Sequence, residues 1–147
     1  MRILVQPESF DAAALMQGFG TGAGAVVTFA GLVRGDGGLV ALEIEHYPGM
    51  TEASLTQHAQ AAVERFCLSD VLVVHRHGRM KVGEPIMMVA TAARHRREAF
   101  DAADFLMDWL KSRAPFWKRE IGPEGPRGWV AAKDTDEAAL GRWADPR

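Results

Sequence analysis

The residues of this chain best suited to chemistry are cations. Lys111 and Lys118 bracket the segment Lys111-Ser112-Arg113-Ala114-Pro115-Phe116-Trp117-Lys118-Arg119-Glu120. Read as a strand, its side chains alternate, so Phe116, Lys118 and Glu120 share one face while Trp117 and Ile121 share the other. Lys118 then lies beside an aromatic ring, with Glu120 close enough to pair with it. A lysine that is partly desolvated and near other cations gives up its proton readily and serves as a base or nucleophile. The same residues also fit a plain surface strand with its aromatic ring packed inward. A second cluster, Arg94-His95-Arg96-Arg97, opens a long helical pattern. Positive charge there opposes the helix macrodipole unless an anion binds between the arginines and the free N–H groups. The alternative is a solvated basic turn paired with Glu98 and Asp101. Arg34 follows an apolar run and precedes a glycine turn, which suits either an anionic ligand or a solvated loop.

Other chemistries leave no trace. No Gly-rich phosphate loop and no Gly-x-Ser-x-Gly elbow is present. None of the five histidines sits in a metal-ligand pattern. His75 and His77 alternate along a strand and would point the same way, as half a metal site or as two hydrogen-bonded side chains. The single cysteine, Cys67, excludes an intrachain disulfide framework, and its place beside Phe66 and Leu68 reads as a buried structural thiol. No metal and no organic cofactor is expected.

The elements that must position these residues follow from composition and pattern. The chain has 147 residues, 48% hydrophobic and 24% charged, with net charge −2. This suits one soluble domain spanning 1–147 and lacks a global nucleic-acid footprint. The N-terminus carries no signal-like apolar run, and no stretch reaches the ~20 apolar residues of a membrane span. A cytoplasmic protein is expected, and the lone thiol agrees with a reducing compartment.

Arg2 to Gln6 reads as a strand, and Ser9 as the cap of a short helix through Met16. Ala25 to Val33 reads as a buried strand, with Leu39 to His46 pairing beside it as a half-exposed strand. Thr51 caps a helix carrying Leu55, Ala59, Ala62, Val63 and Phe66. Val71–Val74 and Pro85–Ala92 form a hairpin joined through Lys81-Val82-Gly83-Glu84. Arg96 to Arg113 is the longest helical pattern, with Ala99, Ala103, Leu106 and Leu110 on one stripe beside Phe100 and Met107. Strands over Pro115–Ile121 and Gly128–Ala132 follow, then a short helix opened by a capping box at Asp134-Thr135-Asp136-Glu137. Strands in consecutive pairs make this α+β with a largely antiparallel sheet.

Several segments together resemble the large, catalytic subunits of molybdopterin synthase. They are Thr28-Phe29-Ala30-Gly31-Leu32-Val33-Arg34, Glu45-His46-Tyr47-Pro48-Gly49-Met50-Thr51-Glu52, Val74-His75-Arg76-His77-Gly78-Arg79-Met80 and His95-Arg96-Arg97-Glu98-Ala99-Phe100. Val82-Gly83-Glu84, Lys111 with Ala114-Pro115-Phe116-Trp117-Lys118-Arg119-Glu120, and then Trp129-Val130, complete the set. They run in the family's order over nearly the whole chain. Departures are a short glycine-rich loop after Arg34, His77 at an apolar position and an added Gly128.

The resemblance implies an α/β hammerhead-like fold with an additional antiparallel sheet. It also implies transfer of two sulfurs to cyclic pyranopterin monophosphate, forming a dithiolene. The sulfur donor would be the C-terminal thiocarboxylate of a small ubiquitin-like subunit, so no catalytic cysteine is required. Lys118 and Lys111 then become the catalytic candidates. Arg34, His95 and Arg96 would hold phosphate or pterin, Glu120 would orient a lysine, and Phe29 and Phe116 would shape the pocket. A homodimer core of a heterotetramer is implied, without nucleic-acid or membrane partners. His95 and Lys111 are sixteen residues apart on one helix, roughly 24 Å along its axis. One pocket holding both requires two chains. The competing class is a non-catalytic module that holds a ubiquitin-like tail, for which four intact basic site residues serve no purpose. An unrelated enzyme acting on a phosphorylated metabolite fits the basic residues but not the distinctive motifs.

Overall fold

A computed structural model describes residues 1–130 and 133–144. Two four-stranded sheets and four α-helices build these residues. The first sheet takes β1 (Arg2–Gln6), β4 (Asp70–Arg76), β6 (Pro85–Ala93) and β2 (Ala25–Leu32), in that spatial order. β1 runs parallel to β4, and the other pairs are antiparallel. The second sheet, antiparallel throughout, takes β5 (Gly78–Lys81), β3 (Ala41–His46), β7 (Phe116–Gly122) and β8 (Gly125–Val130). The α+β reading and the additional antiparallel sheet therefore hold.

The helices α2 (Met50–Phe66) and α3 (Arg96–Ser112) cover one face of the first sheet. Leu55, Ala59 and Phe66 of α2 and Ala99, Ala102 and Leu106 of α3 meet Val71, Val73 and Val89 there. The short α1 (Ala12–Leu15) closes the opposite face over Leu72, Val74, Met88 and Ala90. Small residues let α3 lie close to β6, and Thr91 Oγ donates to the Ala99 carbonyl at 2.7 Å, so its buried hydroxyl is satisfied. Gly24 is fixed by approach: a Cβ there would sit 2.1 Å from the Arg94 carbonyl oxygen.

Several expectations are corrected. β2 is an edge strand, so Val26, Phe29 and Leu32 are exposed; an apolar run signals a strand but not its place in the sheet. β3 does not pair with β2. The chain leaves the first sheet at Val33, and β3 enters the second between β5 and β7. β4 and β6 do pair, but the residues between them include a strand, β5, that joins the other sheet.

Asp11, not Ser9, caps α1, accepting from the Ala13 and Ala14 N–H groups. Gly49 is the N-cap of α2, and its N–H donates to Glu52. Thr51 is buried within the first turn, where Oγ accepts from Tyr47 N–H at 2.8 Å and donates to the Pro115 carbonyl at 3.1 Å. That bond ties the Tyr47–Thr51 turn to the start of β7. Phe100 faces solvent, and Phe105 fills the core in its place.

β8 starts at Gly125, earlier than expected, and residues 131 and 132 of that expected strand lie outside the described residues. The last helix, α4 (Asp134–Leu140), begins after Lys133 without a side-chain cap, so the capping box is absent. Cys67 is exposed rather than buried. It ends α2 in the left-handed region, at φ 52°, which turns its side chain outward while Phe66 and Leu68 pack inward.

Candidate active site

Between the open end of the first sheet and the start of the second lies a cavity of about 600 Å³. β2 contributes Phe29 and the chain after it Arg34, while β6 contributes Ile86 and Met87. The last two turns of α3 bring Met107 and Lys111, β7 brings Phe116 and Lys118, and α4 with its preceding residue brings Asp136 and Lys133. The two expected lysines thus arrive from consecutive elements. Pro115 stops α3 and sends the chain into β7, turning Lys111 and Lys118 toward one space.

Among the described residues, four basic side chains, from Arg34, Lys111, Lys118 and Lys133, line the cavity against one carboxylate, Asp136. Burial is the main cause that lowers the Lys118 pKa, to about 8. The charge of Lys111 and a hydrogen bond from it add to this, Lys133 adds a little, and Asp136 opposes. At pH 7 about a tenth of Lys118 is then neutral amine, against well under a thousandth for an ordinary lysine. The arrangement can bind an anion and exchange a proton at one amine.

His75 forms part of the same wall. Its ring is stacked on Phe116 with centroids 3.7 Å apart, and Nδ1 lies 2.8 Å from the Arg76 carbonyl. His77 is not its companion: it follows the end of β4 and stacks on His46 with centroids 4.0 Å apart. No group of three or more His, Cys, Asp or Glu arranged for a metal occurs among the described residues.

Among the described residues, Glu120 makes no ion pair with a lysine. The ladder between β7 and β8 slips between Arg119 and Ile121, and Glu120 pairs with Arg127 at 3.4 Å. The carboxylate facing Lys118 is Asp136, which sequence reasoning had assigned only to a cap. Arg34 reaches the cavity while pairing with Asp36 at 3.6 Å. His95 and Arg96 lie outside it. Both are exposed at the opposite end of α3, where His95 is the N-cap.

An α+β enzyme with a lysine pair in a basic cavity is the class this fold and site define. The family described as MoaE protein matches residues 5–113. The chain is 62% identical to the molybdopterin synthase catalytic subunit of Cereibacter sphaeroides, over 97% of this chain and 100% of that one. It is 52% identical to that of Caulobacter vibrioides, over 97% of each. The structure of a molybdopterin biosynthesis MoaE protein from Burkholderia ambifaria superposes with TM-score 0.83 at 45% identity, covering 98% of both chains. The chain belongs to the MoaE family. Its function is that of a catalytic subunit of molybdopterin synthase, in molybdenum cofactor biosynthesis.

Proposed function

We propose that the cavity takes cyclic pyranopterin monophosphate and the thiocarboxylated C-terminus of a small ubiquitin-like subunit. The observation that carries this reading is the pair of lysines lining one cavity, the half-buried Lys118 with its pKa lowered to about 8 among three further cations. Arg34 and the lysine-rich wall hold the substrate phosphate and the anionic tail. Lys118 engages the thiocarboxylate carbonyl, where a cation favours the negative charge that develops on oxygen. Lys111 moves protons at the pterin. Phe29 and Phe116 give the heterocycle apolar walls. Sulfur passes to the pterin carbon and water takes the acyl group, so the small subunit leaves as a carboxylate; two rounds complete the dithiolene.

The assembly in this reading is a homodimer with a small subunit on each end. His95 and Arg96 of one chain complete the cavity formed by Arg34, Lys111 and Lys118 of the other. In support, the α3 helix holds His95 and Lys111 at opposite ends, and only Lys111 lines the cavity. The setting is the cytoplasm, consistent with a free thiol; no helix among the described residues is long and apolar enough to cross a membrane. The test is reconstitution from purified protein, thiocarboxylated small subunit and cyclic phosphate, read as the fluorescent oxidised pterin. Product forms only with all three present; product without the thiocarboxylate would overturn the reading.

A further inference from the structure

His75 is the least expected residue of the cavity wall. It is 4% exposed, yet it lines the space that holds Lys111 and Lys118. Two contacts fix its ring: the stack on Phe116 and the 2.8 Å bond from Nδ1 to the Arg76 carbonyl. A carbonyl only accepts, so Nδ1 carries the proton and Nε2 is left with a lone pair. Nε2 is not among the enclosed atoms that lack a partner, and none of the described hydrogen bonds uses it. Burial first, then the charges of Lys118, Lys111 and His77, lower the His75 pKa to about 3, against an opposing bond to Arg76, so the ring stays neutral.

The chemistry of the neighbours says what this lone pair is for. Arg34, Lys111, Lys118 and Lys133 are donors only. Asp136 faces Lys118. Ser112 also lines the cavity, but its Oγ is enclosed. His75 is therefore the uncharged side-chain acceptor of a wall otherwise built here from Phe116 and Met87.

We infer that His75 presents Nε2 to the cavity as a fixed, neutral acceptor for an N–H donor on the substrate heterocycle. It thereby sets which ring binds and which way round. The inference rests on the pterin phosphate reading above. Cations take the phosphate end; the stacked imidazole takes the N–H edge. A site that buries a lone pair rejects ligands that leave it unpaired, which makes His75 a specificity residue.

Calorimetry of the chain with cyclic pyranopterin monophosphate tests this. His75→Asn keeps an amide N–H for the Arg76 carbonyl but removes the Nε2 acceptor; His75→Phe keeps the stack and removes both nitrogens. Both variants should bind the cyclic phosphate roughly 5- to 100-fold more weakly. Inorganic phosphate should bind all three proteins equally, which a collapsed cavity would not allow. In the native protein, nitrogen NMR should show an unprotonated Nε2 at pH 6 whose resonance moves when the cyclic phosphate binds. Native affinity in either folded variant, or an Nε2 resonance unmoved by bound ligand, overturns the assignment. Should the native chain fail to bind the cyclic phosphate while the NMR still shows the neutral ring, the substrate reading fails and takes this inference with it.

Discussion

Two basic clusters sit at the two ends of α3, and the fold treats them in opposite ways. Arg94, His95, Arg96 and Arg97 are all exposed at its start. Lys111 lies in its last turn and reaches the cavity, where it meets the half-buried Lys118. Similar charge in sequence becomes solvated charge at one end and a perturbed amine at the other. Desolvation makes the difference: the shift on Lys118 starts with burial, and Lys111 only adds to it. One end thus carries an amine ready to exchange protons, and the other carries solvated charge.

The largest break in this contrast comes from Lys118→Ala. Loss of a positioned proton-transfer group costs about 10²–10⁴-fold in rate. Dithiolene formation should fall by that factor while circular dichroism stays native; near-normal turnover would remove Lys118 from the chemistry. Its stability should move the other way. Unfolded Lys118 binds more protons than folded Lys118 between pH 8 and the ordinary lysine value of 10.5, so stability rises with pH across that window. The cost of burying the ammonium is fully present below pH 8. Lys118→Met should therefore melt higher than the native chain at pH 7, by a margin that narrows by pH 10.

A mixed dimer sharpens the contrast by asking whether the two ends meet across chains. His95→Ala and Lys111→Ala should each be nearly inactive alone. After subunit exchange, half the dimers are mixed and each holds one intact pocket of two. About a quarter of native activity should return. No recovery, with exchange shown independently by mass spectrometry, would place the exposed cluster outside the active site.

The elements themselves were largely legible, because period and breakers set them locally. Pro115 ends α3 and turns the chain into β7, which brings Lys111 and Lys118 together. Partners were not legible in the same way. The alternation of Leu39 to His46 showed a strand but not that it would pair with β7 instead of β2. Burial failed where one backbone angle decided it: Cys67 has apolar neighbours, but its left-handed conformation sends it outward. Asp136 and His75 were seen as residues but not as parts of the site. Their places depend on where α4 packs and on which strand lies against Phe116, and both are tertiary facts.

A smaller effect probes the electrostatics of the enclosed end directly. Lys111 pushes the Lys118 pKa down and Asp136 pulls it up. Lys111→Gln should raise it from about 8, and Asp136→Asn should lower it further, each by up to about one pH unit. The rate of acylation of Lys118 against pH, followed by peptide mass mapping, reads both. Shifts in the same direction would show that the variants act by changing burial and not through charge. A matching substitution at Arg2, on β1 at the far edge of the first sheet and outside the cavity, should leave the profile unmoved.

The smallest effect expected is on stability alone, at Cys67. A non-glycine residue in the left-handed region costs roughly 1 kcal/mol relative to glycine. Here the backbone has φ 52° and ψ 47°, and the Cys67 N–H still closes the last turn onto the Val63 carbonyl. Its side chain is exposed, so removing it opens no cavity. Cys67→Gly should then be stabilising, by less than about 1 kcal/mol because glycine also gains freedom in the unfolded chain. In a chain of this size that is a rise of roughly 2–4 °C at most in the melting temperature. Cys67→Ser keeps the strained backbone and should melt with the native protein. Both variants should retain full sulfur transfer, since in the proposed reading the sulfur arrives on the small subunit's thiocarboxylate. A folded but inactive Cys67→Ser would instead require a sulfur-carrying thiol on this subunit, and would move the chemistry away from the cavity lysines.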